Sequence, residues 1–207
     1  MFESIIISLI FCKIKKFKIS PLFKNWPIYT VIFMELICLI VQANIFIENY
    51  SLIKYVGILK TLYLCSYLPL IFVYRQYIYA IIGSVFVIIG GILNDIAIAA
   101  NNGYMPVFPS ISYLTGYAKV DAFDKVNDIH ILGDSSTKLK FLTDIFDVGY
   151  SVLSIGDIFI RVFVFIIIYN TVKHLNVTNE KNLLIKFNNW FEKETKDVKI
   201  TTYRVFF

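Results

Sequence analysis

The sequence predicts an all-α integral membrane protein: a polytopic helix bundle with about five transmembrane helices, an external loop and a cytoplasmic amphipathic helix. Of its 207 residues, 57% are hydrophobic and 17% are charged, whereas about a quarter of the residues are charged in a soluble domain. The apolar residues also fall in long runs, close to the roughly 20 residues that one helical crossing needs. An ordinary cytosolic enzyme and a disordered chain are therefore both excluded.

Five apolar runs are predicted to cross the membrane within a transmembrane domain of residues 1–173. They cover residues 2–17, 26–47, 53–74, 77–100 and 150–172. The first run is short and spans only if its helix continues to Phe17, with lysine side chains that reach back to the interface. The alternative is that it lies in the interface. The fourth run contains Gly83, Gly90 and Gly91, which permit close helix approach.

The charged residues predict how the bundle is oriented. Residues 11–25 carry five lysines and no acid, and residues 173–207 carry seven basic and four acidic residues. The external loop, residues 101–149, carries six aspartates and four lysines. Because cytoplasmic loops are enriched in Lys and Arg, we expect the N-terminus and this loop outside and the C-terminus inside. The bias towards Ile, Lys and Asn is typical of an AT-rich bacterial genome, so we expect the bacterial cytoplasmic membrane.

The predicted cytoplasmic tail, residues 174–207, has apolar residues at helical spacing. They are Leu183, Leu184, Phe187, Trp190 and Phe191. This pattern predicts an amphipathic helix at the inner membrane surface, and the alternative is a docking helix for a partner protein. The net charge of +5 is explained by the loop asymmetry, so no nucleic-acid partner is expected.

Ionisable residues within the predicted spans are candidates for chemistry, because a charge in the bilayer is costly unless it is paired or functional. Asp157 and Arg161 lie four residues apart on one predicted helix, where they can form a structural ion pair. Asp95 and Asp157 are also compatible with the paired carboxylates of an intramembrane aspartyl protease, which share a proton. The cation of Arg161 favours the ion pair.

The external loop carries His130, with Asp128 and Asp134 close by in the sequence. This combination is compatible with a cation site, or with a serine–histidine arrangement that uses one of the serines at 135 and 136. His174 is predicted on the opposite side of the membrane, so the two histidines cannot form one metal site. The cysteines show no metal-ligand spacing, and neither a metal nor a cofactor is predicted.

The end of the fourth run is the most distinctive part of the sequence. Asn101 and Gly103 tolerate a positive φ and are expected to end the helix. Pro106 restricts Met105 to an extended conformation. The carbonyl groups that become free at such a helix end suit a cation or a hydrogen-bond donor.

Several polar residues are expected to converge near this helix end. Asn94 and Asn101 lie two turns apart on nearly the same face. Asp157 begins the fifth span on the same side, and the loop between them carries His130 and Asp144. We therefore expect a binding pocket at the outer leaflet, covered by the loop. The alternative is that these residues only cap helices and close the loop.

The same residues carry a family resemblance. The chain resembles an uncharacterised family of bacterial five-helix membrane proteins, whose pattern combines Asn-x6-Asn-Gly-Gly-x-Met-Pro, an outer-loop His, Leu-Gly-Asp and Ser-Ile-Gly-Asp. The matching positions are Asn94, Asn101, Gly103, Met105, Pro106, His130, Leu142, Asp144 and Ser154 to Asp157. Asn102, Thr143 and Arg161 depart from the pattern. The resemblance covers residues 80–170 and implies the architecture but no activity.

The expected function is non-enzymatic: binding, assistance of transport, or regulation of a membrane partner protein, centred on the outer-leaflet pocket. The alternative is a membrane-embedded enzyme, hydrolase-like or protease-like, that uses Asp157, His130 or Asp144. The lipid bilayer is the expected partner in either case, and the sequence does not specify a ligand.

Overall fold

The computed structural model describes the backbone of residues 2–119, 122–125 and 128–204, and side chains in these ranges except at 124–125, 179–184 and 186–204. The helices are α1 (Phe2–Ile14), α2 (Ser20–Phe23), α3 (Pro27–Phe46), α4 (Val56–Cys65), α5 (Leu68–Val73), α6 (Tyr77–Ala100), α7 (Ile111–Leu114), α8 (Ala122–Lys125) and α9 (Ile155–Arg204). The strands are β1 (Met105–Val107), β2 (His130–Leu132), β3 (Phe146–Asp147) and β4 (Val152–Leu153). Short 3₁₀ turns lie at Ile53–Tyr55 and Lys140–Leu142.

The protein is a helical membrane bundle, as predicted. Within the described residues, four segments are long and apolar enough to cross a bilayer. They are Pro27–Phe46, Ile53–Val73, Tyr77–Ala100 and Ile155–Thr178. Large apolar side chains on these helices, including Phe72, Ile78 and Ile81, are exposed. Such a surface is unfavourable in water and is stable against the hydrocarbon chains of lipid.

The first predicted span is shorter than expected. α1 ends at Ile14, where Lys16 takes a left-handed φ of 61° and the Phe17 N–H donates to the Cys12 carbonyl. This pattern is the one that ends many helices. The 13 residues of α1 reach about 20 Å at 1.5 Å per residue, less than the roughly 30 Å of a hydrocarbon core. α1 therefore packs against α9 without the length of a full span.

The third span is interrupted by its proline. α4 ends at Cys65 and α5 begins at Leu68, with Pro69 in its first turn. Proline has no N–H to continue the helical hydrogen bonds. The Ser66 carbonyl, which lies in the interruption, accepts a hydrogen bond of 2.8 Å from the Thr30 hydroxyl of α3. The break turns the side chain of Tyr67 into the bundle, where it is fully buried.

α9 is the central helix of the bundle. It packs most extensively against α6 and next against α1. α1 runs parallel to α9, since Glu3 contacts Arg161, Ser8 donates to the Phe165 carbonyl, and Lys18 N–H donates to Asn176. The main core cluster joins α9 to α3, α4 and α5, and it includes Tyr67, Phe163 and Ile167.

The connections alternate between two ends of the bundle. Residues 101–154 and the connection between α3 and the first 3₁₀ turn share one end, where the ring of Phe46 contacts that of Tyr117. We call this the loop end. The segment between α1 and α3 and the turn between α5 and α6 lie at the other end, which we call the far end.

The segment predicted as an external loop has its own secondary structure. β1 and β2 pair in parallel, β3 and β4 form an antiparallel hairpin, and Val107 bridges to Asp144. The last helix begins at Ile155, five residues later than the predicted start of the fifth span at residue 150. It then continues past the predicted end of that span to Arg204. The apolar face predicted for the tail falls outside the described side chains.

Candidate functional site

A cavity of about 330 Å³ lies at the loop end. One wall is mainly apolar and comes from α3 and α4, with residues such as Val41, Ile45 and Val56. The opposite wall is polar and comes from the loop and from the first turns of α9. Its ionisable members include Tyr117, Lys119, Asp128, His130, Asp144, Asp157 and Arg161. The cavity therefore has one mainly apolar and one polar side.

His130 is held by a carboxylate on one side and faces a second carboxylate on the other. The first strand pair places it beside Met105 in register. Its Nδ1 lies 2.6 Å from Asp128 Oδ2, and its Nε2 lies 3.7 Å from Asp144 Oδ2. The hydrogen bond with His130 holds the pKa of Asp128 below its ordinary value. A ring fixed at Nδ1 presents Nε2 to the cavity.

Asp144 is the most buried carboxylate of the cavity wall. Its N–H donates to the Pro106 carbonyl and its own carbonyl accepts from the Phe108 N–H, so the β1 region fixes its backbone. The residue is 4% exposed. Its Oδ1 has no hydrogen-bond partner within the described ranges. Burial raises the pKa of Asp144 to about 7, and the nearby carboxylate of Asp157 adds to the rise.

Asn94 and Ser154 position Asp157 in the first turn of α9. Ser154 Oγ accepts from the Asp157 N–H at 2.9 Å, which is the geometry of a helix cap, and donates to Asn94 Oδ1 at 2.7 Å. Asn94 Nδ2 lies 3.4 Å from Asp157 Oδ1. The Asn94 amide of α6 therefore contacts the side chains of Ser154, which precedes α9, and of Asp157 within it.

Among the described residues, no salt bridge joins Asp157 to Arg161, the pair expected from the sequence. The salt bridge of Arg161 within the described residues is to Glu3, at 3.7 Å between Nη2 and Oε1. The physical reason is the packing of α1 along α9, which brings an acid from another helix to the guanidinium, while Asp157 is turned towards Asn94.

The remaining predicted site residues lie away from the cavity. Asn101 Nδ2 donates to the carbonyls of Ala97 and Lys138, and its Oδ1 accepts from the Lys138 N–H. Gly103 has a φ of 89° and donates to the Ile98 carbonyl. These residues end α6 and attach the loop to it.

Met105 and Pro106 have the same structural role. Met105 is buried against Ala97 and Leu142, and Pro106 lies in the middle of β1, where its carbonyl accepts from Asp144. Of the predicted site residues, His130, Asp144 and Asp157 line the cavity and Asn94 contacts it through Asp157. Asn101, Gly103, Met105 and Pro106 support the loop that carries two of them.

The α3 and α4 side of the cavity was not predicted. Cys38, Lys60 and Tyr63 line it, and Glu35 accepts a hydrogen bond from the Tyr63 hydroxyl. The sequence does contain a signal for this side of the cavity, because the second and third apolar runs each include a charged residue. These residues are Glu35 in the second run and Lys60 in the third. In the part of the chain that the structure describes, no group of three His, Cys, Asp or Glu residues is placed to hold a metal.

Comparison with known proteins identifies the family. No match was found among curated proteins or among solved structures. The model of a family of unknown function, DUF5317, matches residues 19–169. This range contains three of the candidate spans in full and the fourth as far as Tyr169. It also contains the segment from α6 to α9 and every polar residue of the cavity wall named above. The chain therefore belongs to the DUF5317 family of unknown function.

Proposed function

We propose that the protein is a non-enzymatic membrane binding component, which assists transport or regulates a partner, and that its loop-end cavity binds an amphiphile from the outer leaflet. The apolar tail of the amphiphile would lie against α3 and α4. Its head group would face Asp144 and Asp157. A cavity with one apolar and one polar side, at the end of a membrane bundle, is suited to such a molecule.

The carboxylates of Asp144 and Asp157, which lack a Lys or Arg partner, carry the proposal and favour a cationic head group that donates hydrogen bonds. Among the described residues, neither Asp144 nor Asp157 has a Lys or Arg nitrogen within salt-bridge distance. Arg161 is paired with Glu3 and Lys119 with Glu48, while Lys60, which also lines the cavity, has an exposed side chain beyond salt-bridge distance. A bound amine would give the buried Oδ1 of Asp144 a donor and would reduce the repulsion between the two carboxylates.

Cys38 offers a direct test, because it is half-buried in the cavity wall. In a Cys12→Ser, Cys65→Ser background, the rate at which Cys38 reacts with a maleimide measures how open the cavity is. We expect dodecylamine to slow this reaction several-fold, and laurate to leave it unchanged.

The protection should require the two carboxylates. Asp144→Asn and Asp157→Asn should lose it, whereas Asp95→Asn is the matched control, because Asp95 is exposed on α6. Equal protection by dodecylamine and laurate, or protection that survives both cavity substitutions, would contradict the proposed head-group site.

Acid–base catalysis is the second candidate function. The line of Asp128, His130 and Asp144 supports it, since a fixed imidazole next to a carboxyl with a pKa of about 7 can exchange protons with a substrate near neutral pH. No serine or cysteine hydrogen-bonds to His130 within the described ranges, so water would be the nucleophile. Turnover of p-nitrophenyl laurate that is lost in His130→Ala but kept in His174→Ala would favour the enzyme.

A further inference from the structure

A second polar cluster lies deeper in the bundle. Glu35 is eight residues from the start of α3 and eleven from its end, close to the middle of the span, and it is 8% exposed. A carboxyl group at this depth is costly in hydrocarbon, and such residues usually have a partner or take part in proton binding. The described part of the chain places no Lys or Arg within salt-bridge distance of it.

Two tyrosines complete the cluster. The Tyr63 hydroxyl donates to Glu35 Oε1 in a short hydrogen bond. The hydroxyl oxygens of Tyr63 and Tyr67 are 2.8 Å apart. Since the Tyr63 proton points to Glu35, Tyr67 is the donor in the second bond. Both rings are almost fully buried, so the hydroxyl groups form a chain that ends on the carboxyl oxygen.

The cluster meets the loop-end cavity at Tyr63, which belongs both to the hydrogen-bonded chain and to the cavity wall. Cys38, one turn after Glu35 on α3, also lines the cavity. Among the described residues, the titratable groups that interact with Glu35 include Cys38 from α3, Tyr63 from α4, Tyr67 from the α4–α5 break and Tyr150 from the loop. α9 contributes the uncharged ring of Phe163, which packs on Tyr67.

We infer that Glu35 is a proton-binding site in the membrane interior, which exchanges its proton with water in the cavity through the Tyr63 hydroxyl. In uptake, the Tyr63 proton moves to the Glu35 carboxylate while the Tyr63 oxygen takes a proton from hydronium, leaving a carboxylic acid, a neutral tyrosine and water. Release is the reverse. No second ionised group is left behind, which matters because an isolated buried charge is strongly unfavourable. Proton exchange does not require an amphiphile in the cavity.

Infrared spectroscopy of the protein in lipid bilayers tests this inference. We expect a carboxylic-acid carbonyl band that Glu35→Gln removes and that Asp95→Asn leaves in place. Glutamine can accept the same hydrogen bond from Tyr63, so the variant should keep its thermal unfolding midpoint. Tyr63→Phe should shift the band, because the carboxyl loses its donor.

The route of the proton is tested by transfer to D₂O. The band should move as the proton is replaced by deuterium. Alkylation of Cys38 with N-ethylmaleimide, in the Cys12→Ser, Cys65→Ser background, should slow this exchange by filling the cavity next to Tyr63. Identical spectra of the unsubstituted protein and Glu35→Gln would show that Glu35 is only a structural acceptor. If alkylation of Cys38 leaves the rate of deuterium exchange unchanged, the proton does not pass through the cavity and the proposed route is wrong.

Discussion

At the scale of single residues, Asp144 is a loop carboxyl that the fold removes from its ordinary chemistry. Its backbone is fixed by β1, its side chain is buried, and its nearest ionisable neighbours include His130 and Asp157. Burial and a second carboxylate act in the same direction on its pKa. A residue held in this way is able to change its charge near neutral pH, which an exposed loop aspartate does not do.

The raised pKa of Asp144 predicts a specific dependence of stability on pH. Between about pH 4 and its folded value of about 7, Asp144 is protonated in the folded protein and ionised in the unfolded chain. Folding therefore takes up a proton, and the free energy of unfolding falls as the pH rises through this window, by up to about 1.4 kcal/mol per pH unit.

Asp144→Asn should remove most of this slope, since asparagine has no proton to lose. The measurement is the thermal unfolding midpoint of the detergent-solubilised protein between pH 4.5 and pH 8, values chosen to bracket roughly the window set by the raised pKa. Asp134→Asn is the control, because Asp134 is an exposed aspartate of the same loop. An unchanged slope in Asp144→Asn would assign the pH dependence to another group.

The sequence predicted part of the site because of chain connectivity. His130 and Asp144 belong to the segment that joins the end of α6 to the start of α9, so their approach to Asp157 follows from helices that begin and end on one side. The partner of Arg161 could not be predicted in this way. Glu3 is 158 residues away in the chain, and only the packing of α1 along α9 brings the two together.

At the scale of elements, the contact of α6 with α9 depends on close approaches at glycines, among them Gly90 and Gly156. A Cβ on Gly156 would collide with the side chain of Asn94 and with the Gly90 carbonyl, and a Cβ on Gly90 would collide with Gly156 and Ile160. The same contact places Asn94 between Ser154 and Asp157. The Ser-Ile-Gly-Asp sequence therefore has three structural roles. Ser154 caps the helix, Gly156 permits the close approach of α6, and Asp157 places a carboxylate at the cavity.

Gly156→Ala should destabilise the bundle by about 1–3 kcal/mol, the usual cost of overpacking, and should also displace Asn94 from Asp157. Gly91→Ala is the matched control, because a Cβ at Gly91 meets nothing within 4 Å. Its helix should be unchanged or more stable by up to about 1 kcal/mol. Unfolding of both variants in mixed micelles measures the difference. If Gly156→Ala and Gly91→Ala are equally stable, then α6 and α9 can move apart at Gly156 without a loss of stability.

The elements that differ from the prediction do so for reasons of local chemistry. The third run reads as one helix by hydropathy, but Pro69 divides it, and Tyr67 in the break then reaches Glu35 through Tyr63. The short strands of residues 101–154 lack the alternating pattern that would identify them. Their backbone groups pair because the loop folds over the end of the bundle, where buried N–H and C=O groups need partners.

At the scale of the whole molecule, the bundle separates its charges between its two ends. The far end carries the five lysines of residues 11–25 and Arg75, and α9 continues from it into residues 173–207, with seven basic and four acidic residues. At the loop end, the 101–149 segment has six aspartates and four lysines. The alternating connections bring together residues of like charge that are far apart in the sequence. The charge difference between the two ends is therefore a property of the folded bundle.

This asymmetry predicts that the loop end faces the outside, because Lys and Arg are retained on the cytoplasmic side during insertion. Ser136 at the loop end and Ser20 at the far end are both exposed, and they form a matched pair for labelling. In a background with the three native cysteines replaced by serine, a membrane-impermeant maleimide should label Ser136→Cys on intact cells. Ser20→Cys should react only after the cells are opened. Labelling of Ser20→Cys on intact cells would mean that the bundle is inverted, and the cavity would then face the cytoplasmic leaflet.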